Sequence, residues 1–134
     1  YTADITRTFV VGEASEEVRS IYQVVLAANR AALASVRPGV RAADVDAAAR
    51  QIIEQAGFGD TYIHGTGHGL GLDVHEPPRV ARESDAVLEP GMVFTIEPGV
   101  YLHDRLGIRI EDDVVVTEDG VEALTAFDHD LCIV

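Results

Sequence analysis

The first part of the chain alternates between polar and apolar residues and then changes to helical spacing. Residues 4–11 alternate as a strand does. Ser15 is a suitable N-cap, and an apolar stripe from Val18 to Val36 follows one helix face until Pro38-Gly39 ends it. A second stripe over Val45–Ala56 has the same spacing. The pattern therefore predicts one strand followed by two long helices.

The pattern then becomes rich in glycine and in β-forming residues. Glycine occupies every second position in the middle of residues 64–76, which predicts an extended segment or a loop, and Pro77-Pro78 predicts a turn. Two further strands are indicated at Met92–Glu97 and Gly107–Thr117, with a short last one at 131–134. Because strands follow the helices rather than alternate with them, the predicted fold class is α+β.

Composition excludes several classes of function. The 134 residues fit one domain or part of one, and a formal net charge of -13 argues against a nucleic-acid surface. No apolar run approaches the roughly 20 residues of a membrane span. The chain has no lysine, so neither a P-loop nor a lysine Schiff base can form. With Cys132 as its single cysteine, the chain has no internal disulfide, and we expect a cytoplasmic protein.

Histidines are concentrated in the glycine-rich segment. His64, His68 and His75 lie within thirteen residues of one another along 64–76. A lone histidine is most simply a structural residue, but three separated by glycine favour a functional site. The other two histidines, His103 and His129, are interpreted as surface residues.

Carboxylates occupy unusual positions in the predicted strands. Glu97 ends an apolar strand, and Arg109, Glu111 and Asp113 share one face of the next. A buried charge there is costly unless it is paired or bound to a metal. A solvated edge face, or a structural Arg109–Glu111 pair, is the alternative left open.

A metal centre is the chemistry that these residue types favour. If Asp4, His68, Glu97 and Glu111 converge, three carboxylates and a neutral imidazole carry a formal charge of -3, which one divalent ion reduces to -1 and a second reverses to +1. Oxygen ligands with one imidazole suit Mn, Co, Fe or Zn, and two such ions would activate a bridging water for hydrolysis.

Four segments of the chain carry a resemblance to a known family. They read YTADITRTF (1–9), HGTGHGLGLDVHE (64–76), PGMVFTIEPG (90–99) and GIRIEDDVVVT (107–117). Together, and in this order, they resemble the pita-bread metallopeptidases, in the branch of the Xaa-Pro dipeptidases (prolidases) and Xaa-Pro aminopeptidases. The resemblance covers essentially the whole chain. It implies a partial pita-bread fold, a curved antiparallel sheet covered by two long helices, and metal-dependent hydrolysis of the bond preceding proline in dipeptides or short peptides.

The resemblance also implies a metal-ligand set. Asp4 corresponds to the bridging aspartate, Glu111 to the bridging glutamate and His68 to the single imidazole ligand. Glu97 corresponds to a ligand that also acts as the base for the attacking water. Two divalent ions per full-length site are implied, Mn first, with Co, Zn or Fe as alternatives.

The remaining site residues are implied in the same way. His64 resembles a histidine beside the substrate, and His75 one that stabilises the tetrahedral intermediate. Arg109 resembles an arginine that orients the carboxylates. Arg79, four residues after His75, resembles the dipeptidase arginine that binds the free carboxylate of the substrate, and a solvated loop arginine is its alternative.

The family pattern places one further metal aspartate before Tyr1. The chain is therefore interpreted as the C-terminal portion of the catalytic domain, residues 1–134, expected by itself to bind one metal at most, weakly, and to have little activity. Half a sheet leaves open edges, so we expect a homodimer. The alternatives are a non-catalytic pita-bread binding module and a metal-free amidinohydrolase resembling creatinase. The four retained ligands argue against both.

Overall fold

The computed structural model describes residues 1–134 and contains two α-helices, nine short strands and one turn of 3-10 helix. The helices are α1 (Glu16–Ser35) and α2 (Ala42–Gln55), and the 3-10 turn covers Gly59–Thr61. The strands are β1 (Phe9–Val10), β2 (Gly67–Gly69), β3 (Glu76–Val80), β4 (Val93–Ile96), β5 (Gly99–Leu102), β6 (Leu106–Arg109), β7 (Asp112–Val116), β8 (Val121–Ala123) and β9 (Cys132–Ile133).

Both helices are confirmed at the places that the apolar stripes predict. The Ser15 hydroxyl accepts the backbone N–H of Val18 and caps α1, while Gly57 leaves α2 with a φ of +86°. The stripes are buried in one hydrophobic core with the inner faces of the strands. Neither helix combines the length and the apolar character that crossing a membrane requires.

Five strands form the main sheet in the order β3-β2-β4-β7-β8, and every neighbouring pair is antiparallel. Helix α1 contacts β4, β5 and β6, and α2 contacts β3. Side chains that alternate along β4 and β7 therefore point either toward the core under the helices or toward the opposite face, where Thr95 and Asp113 lie. Asp112 is a charged residue on the core side, where Asn29 of α1 donates to it.

The segment 4–11 alternates as predicted but is a strand only at its end. Thr6 forms a single bridge to Glu111, and only β1 forms a ladder, parallel with β9. The polar side, Asp4 and Thr6, faces inward, whereas Ile5 and Phe9 are 46% and 49% exposed. The predicted short last strand is confirmed as β9.

The prediction of a turn at Pro77-Pro78 is wrong. Both prolines lie inside β3, which is an edge strand of the main sheet. An edge position tolerates proline because one side of the strand has no neighbour to receive an N–H group.

The prediction of one strand over Gly107–Thr117 is also wrong, because the chain changes sheets within it. Its first part, β6, forms a hairpin with β5, and its second part, β7, joins the main sheet. The change occurs at Ile110 and Glu111, beside the point where Pro98 separates β4 from β5. The N–H of Ile110 donates to the Pro98 carbonyl at 3.4 Å, so the two chains change sheets side by side.

Candidate metal centre

Three of the four predicted metal ligands meet in the structure. One ligand atom each from Asp4, His68 and Glu111 lies within 4.8 Å of the other two. Glu97 is adjacent, with its Oε1 3.1 Å from Nε2 of His68. The convergence that the sequence predicts is thus present, although the four residues come from the first segment, β2, the end of β4 and the sheet change before β7.

Glycine on both sides of His68 allows the neighbouring chains to approach it. A Cβ at Gly67 would lie 1.8 Å from the Thr95 carbonyl oxygen, and one at Gly69 would lie 2.2 Å from the Pro77 carbonyl oxygen. β2 fits between β3 and β4 because these two positions have no side chain. The alternating glycines therefore form the narrow strand that presents the imidazole.

Thr95 joins two of the candidate ligands. Its hydroxyl accepts the backbone N–H of His68 at 3.1 Å and donates to Oε1 of Glu97 at 3.0 Å. It is fully buried. The sequence interpretation did not single out Thr95; its place in the alternation of β4, two residues before Glu97, is the signal that could have revealed it.

Glu111 lies in an electrostatically unfavourable place. Its side chain is 2% exposed, and burial raises its pKa to about 7, with the nearby carboxylates Glu97 and Asp4 raising it further. The hydrogen bond from the Thr6 hydroxyl and the charge of Arg109 oppose this shift. Asp113 lies beside this cluster: its Oδ2 accepts the backbone N–H of Asp4 at 3.0 Å, its buried Oδ1 has no hydrogen-bond partner, and burial raises its pKa.

This donor set fits a divalent cation. Two carboxylates and one imidazole within a common 4.8 Å, with a third carboxylate beside them, repel one another when they are ionised. A cation among them would remove that repulsion, and its ligand types are those that Mn, Co, Fe and Zn accept.

Arg109 lies beside the carboxylates of this cluster. Its Nε donates to the Thr6 hydroxyl at 3.0 Å and lies 3.9 Å from Oε2 of Glu111. The Arg109–Glu111 pair offered as an alternative therefore exists, as part of the same cluster. Arg109 also faces Tyr101. Burial raises the pKa of Tyr101, and the arginine opposes this shift without cancelling it.

His64 reaches the same place from the other side. Its Nε2 is 2.7 Å from the hydroxyl of Tyr101, and its Nδ1 is 2.7 Å from the carbonyl of Gly65. Tyr101 thus links His64 to Arg109. The sequence interpretation missed Tyr101 because it ended the strand at Pro98-Gly99 and so overlooked β5.

A cavity of about 1330 Å³ lies over this cluster. The exposed His75 ring stacks at a tilt against His68, with centroids 4.3 Å apart, and Arg79 pairs with His68 in the register of β2 and β3. The cavity is lined by the predicted residues His64, His68, His75, Arg79, Glu97 and Arg109. Every predicted site residue therefore lies in the cavity or in the ligand cluster beneath it.

One of the two histidines interpreted as surface residues has a buried partner. His103 is 93% exposed, as predicted, but Nε2 of His129 lies 2.8 Å from the buried carboxylate of Asp112. The His129 side chain is still 31% exposed, so it lies at the surface as predicted, but its bond to Asp112 was not predicted because an irregular polar tail gives no period that would indicate it.

Residues 1–118 match the model of metallopeptidase family M24, and the chain belongs to that family. It is 47% identical to an Xaa-Pro dipeptidase from Pyrococcus furiosus over 98% of this chain and 38% of that protein. The structure of a dipeptidase from Pyrococcus horikoshii OT3 superposes with a TM-score of 0.96 at 48% identity, covering 98% of this chain and 37% of that one.

A more distant structure has the same fold. Zinc-substituted aminopeptidase P from E. coli, in complex with product, superposes with a TM-score of 0.83 at 37% identity, over 94% of this chain and 35% of that one. The predicted α+β class, the partial pita-bread fold and the family are confirmed. The chain spans well under half the length of the relatives that it matches.

Proposed function

We propose that the protein carrying this chain is a divalent-metal-dependent peptidase that hydrolyses the bond preceding proline in dipeptides or short peptides. One observation supports the proposal above all: Asp4, His68 and Glu111 converge within 4.8 Å, beside Glu97 and below a large cavity, in a chain of a metallopeptidase family. A binding module would not need carboxylates held so close together at the cost of their mutual repulsion.

Asp4, His68, Glu97 and Glu111 would hold the metal. We propose two divalent ions in the full site, Mn first, with Co, Zn or Fe as alternatives. When bound, such ions polarise a carbonyl and lower the pKa of water toward neutrality.

The chain's own residues would move the proton and orient the substrate. Glu97, half-buried and hydrogen-bonded by Thr95, would take a proton from the attacking water and return it to the departing nitrogen. His75 lines the cavity and would donate a hydrogen bond to the substrate carbonyl as negative charge develops on it. His64, whose two ring nitrogens bond Tyr101 and the Gly65 carbonyl, would lie beside the substrate. Arg109 would keep the carboxylates in place through Thr6 and Glu111.

Arg79 would select short substrates. Arg79 is exposed, lines the cavity and pairs with His68 in the register of the adjacent strands β3 and β2. Its guanidinium is a planar fork of donors, which suits a free carboxylate. The C-terminal location of this chain within a pita-bread catalytic domain, a homodimeric state and a cytoplasmic location stay part of the proposal.

The test is hydrolysis of Xaa-Pro dipeptides by the full-length protein. We expect cleavage with added Mn, loss of cleavage with a chelator and recovery with excess metal. Glu97→Gln should lower kcat by about 100-fold or more because the base is lost, whereas Glu17→Gln, on the exposed start of α1, should leave it unchanged. If Mn, Co, Zn and Fe all fail to support cleavage, the catalytic proposal is wrong and the binding module becomes the better interpretation.

A further inference from the structure

Helix α2 carries a buried ion pair that the metal centre does not explain. Asp46 is fully buried and Arg50 is 8% exposed. Arg50 donates to both carboxylate oxygens of Asp46, at 2.9 and 3.0 Å. Removing two charges from water costs more than their attraction returns unless further hydrogen bonds complete the pair. The destination of those further bonds is therefore informative.

All of the remaining bonds go to one short segment, residues 62–66. Arg50 donates to the carbonyls of Tyr62 at 3.1 Å and His64 at 2.9 Å. Asp46 accepts the backbone N–H of Thr66 at 3.0 Å and its hydroxyl at 2.8 Å. The guanidinium also lies over the Tyr62 ring, 4.1 Å from its centre. The pair thus holds the backbone before, at and after His64.

The same segment contacts the candidate catalytic groups. The Thr66 carbonyl accepts the backbone N–H of Glu97 at 2.7 Å, and the Tyr62 hydroxyl bonds that of Thr66 at 2.7 Å. His64 lines the cavity, and its imidazole bonds the hydroxyl of Tyr101. A shift of residues 62–66 would therefore move the His64 ring and loosen the backbone at Glu97.

We propose that Asp46 and Arg50 are positioning residues for the reaction. They fix segment 62–66, and through it the His64 imidazole and the backbone of Glu97. This inference rests on the proposed function for the roles of His64 and Glu97, and on geometry alone for the fixing of the segment. The neighbouring Arg82–Glu54 pair contrasts with it, because both its side chains are about half exposed or more, and it is expected to contribute little.

Arg50→Lys is the informative variant, because it keeps the charge but cannot donate to Asp46, Tyr62 and His64 together. In the full-length protein, we expect amide hydrogen exchange at Thr66 and Glu97 to become about ten-fold faster or more, with the amides of α1 unchanged. Glu54→Gln, on the same helix, should change neither. Unchanged exchange at Thr66 and Glu97, or equal acceleration along the whole chain, would overturn the positioning role.

A double-mutant cycle on kcat/KM separates a positioning role of Arg50 from a general effect on stability. At a temperature well below unfolding, Arg50→Lys should lower kcat/KM for an Xaa-Pro dipeptide about ten-fold or more. In a His64→Ala background most of that loss should disappear, because both changes act on the same group. Losses that simply add would show that Arg50 does not act through His64.

Misfolding of a variant and failure of the proposed function can each be distinguished from failure of the positioning role. If Arg50→Lys does not fold, Asp46→Asn makes the same test, since it keeps an oxygen acceptor and removes the charge. If the unaltered protein cleaves no Xaa-Pro substrate, the proposed function fails, and the exchange experiment still decides whether the pair fixes the segment.

Discussion

Individual residues at this site are held in states that they would not adopt in water. Glu111 is the clearest case: it is buried, its carboxylate receives a hydrogen bond from Thr6, and the ion pair of that carboxylate with Arg109 is long, at 3.9 Å. Burial dominates, and its pKa is raised to about 7. Without a metal ion, the folded chain therefore disfavours the ionised form that a metal ligand needs.

This shift predicts how the stability of the metal-free protein depends on pH. Between the ordinary pKa of 4.5 and about 7, folded Glu111 keeps a proton that the unfolded chain has lost. Raising the pH through this window should therefore lower the free energy of unfolding, by roughly 2–3 kcal/mol at most. Chemical denaturation of chelator-treated protein at pH 5 and pH 7.5 measures the change.

The controls for this prediction replace one carboxylate each. Glu111→Gln should flatten the dependence, whereas Glu122→Gln, exposed on β8, should preserve it. Saturating divalent metal should reverse the slope, because the metal binds the ionised carboxylate. An equal slope in protein with and without Glu111 would show that another group is responsible.

The ligand types could be predicted from the sequence, but the residues that orient them could not. His68 was conspicuous because it is one of three histidines in a glycine-rich segment. Glu97 and Glu111 were conspicuous because a carboxylate in an apolar strand is costly unless it is paired or bound to a metal. Thr95 and Tyr101 carry no such signal. Threonine and tyrosine are ordinary strand residues, and only the register of β4 and β5 reveals that they face His68 and His64.

At the scale of elements, the site depends on how closely strands can approach. The helices were predictable because a 3.6-residue period over many residues leaves little ambiguity. The sheet change at Ile110 was not, because the apolar and polar alternation continues through it, and the two-residue period is the same in either sheet. The glycines of β2 gave a clear signal of close approach, although not of what approaches.

Gly67→Ala should test that approach. The added Cβ would lie 1.8 Å from the backbone oxygen of Thr95, which cannot move aside as a flexible side chain could. We expect a loss of about 3 kcal/mol in the free energy of unfolding and weaker metal binding, because the adjacent His68 is displaced. Denaturant titration and calorimetry with Mn measure the two effects.

Gly120→Ala is the matched control for this change. Its added Cβ would meet nothing closer than the Thr117 hydroxyl at 3.9 Å, so stability and metal binding should both stay near those of the unaltered protein. If Gly67→Ala behaved like Gly120→Ala, β2 would not be tightly packed against β4, and the interpretation of its glycines would be wrong.

At the scale of the whole molecule, one buried arginine joins parts of the chain that are far apart in sequence. Arg7 pairs with Asp112 at 2.7 Å and donates to the carbonyls of Thr6 and Glu111, at 2.9 and 2.6 Å. It also donates to the carbonyls of Phe127 and Asp128 in the tail. The segment bearing Asp4, the start of β7 and the tail therefore meet at one guanidinium.

Asp112 completes this junction from the core side. Burial alone would raise its pKa, but hydrogen bonds from Arg7, His129 and Thr125 outweigh burial and hold it below the ordinary value. Asn29 of α1 donates to the same carboxylate at 3.3 Å. The charge on Asp112 is thus stabilised in the folded chain only while its donors, of which Arg7 is the one permanent cation, stay in place.

Arg7→Met should consequently leave a buried carboxylate without its main counter-charge. We expect the free energy of unfolding to fall by about 3–5 kcal/mol, the usual cost of removing one partner from a buried pair. Arg19→Met, on the exposed face of α1, should change it by less than about 0.5 kcal/mol. Denaturant titration of the two variants distinguishes them, and a similar small change in both would mean that the tail and the first segment are held by their apolar contacts instead.

Adding Asp112→Asn to Arg7→Met should then recover part of the loss, because the unpaired charge, rather than the missing side chain, is its main cause.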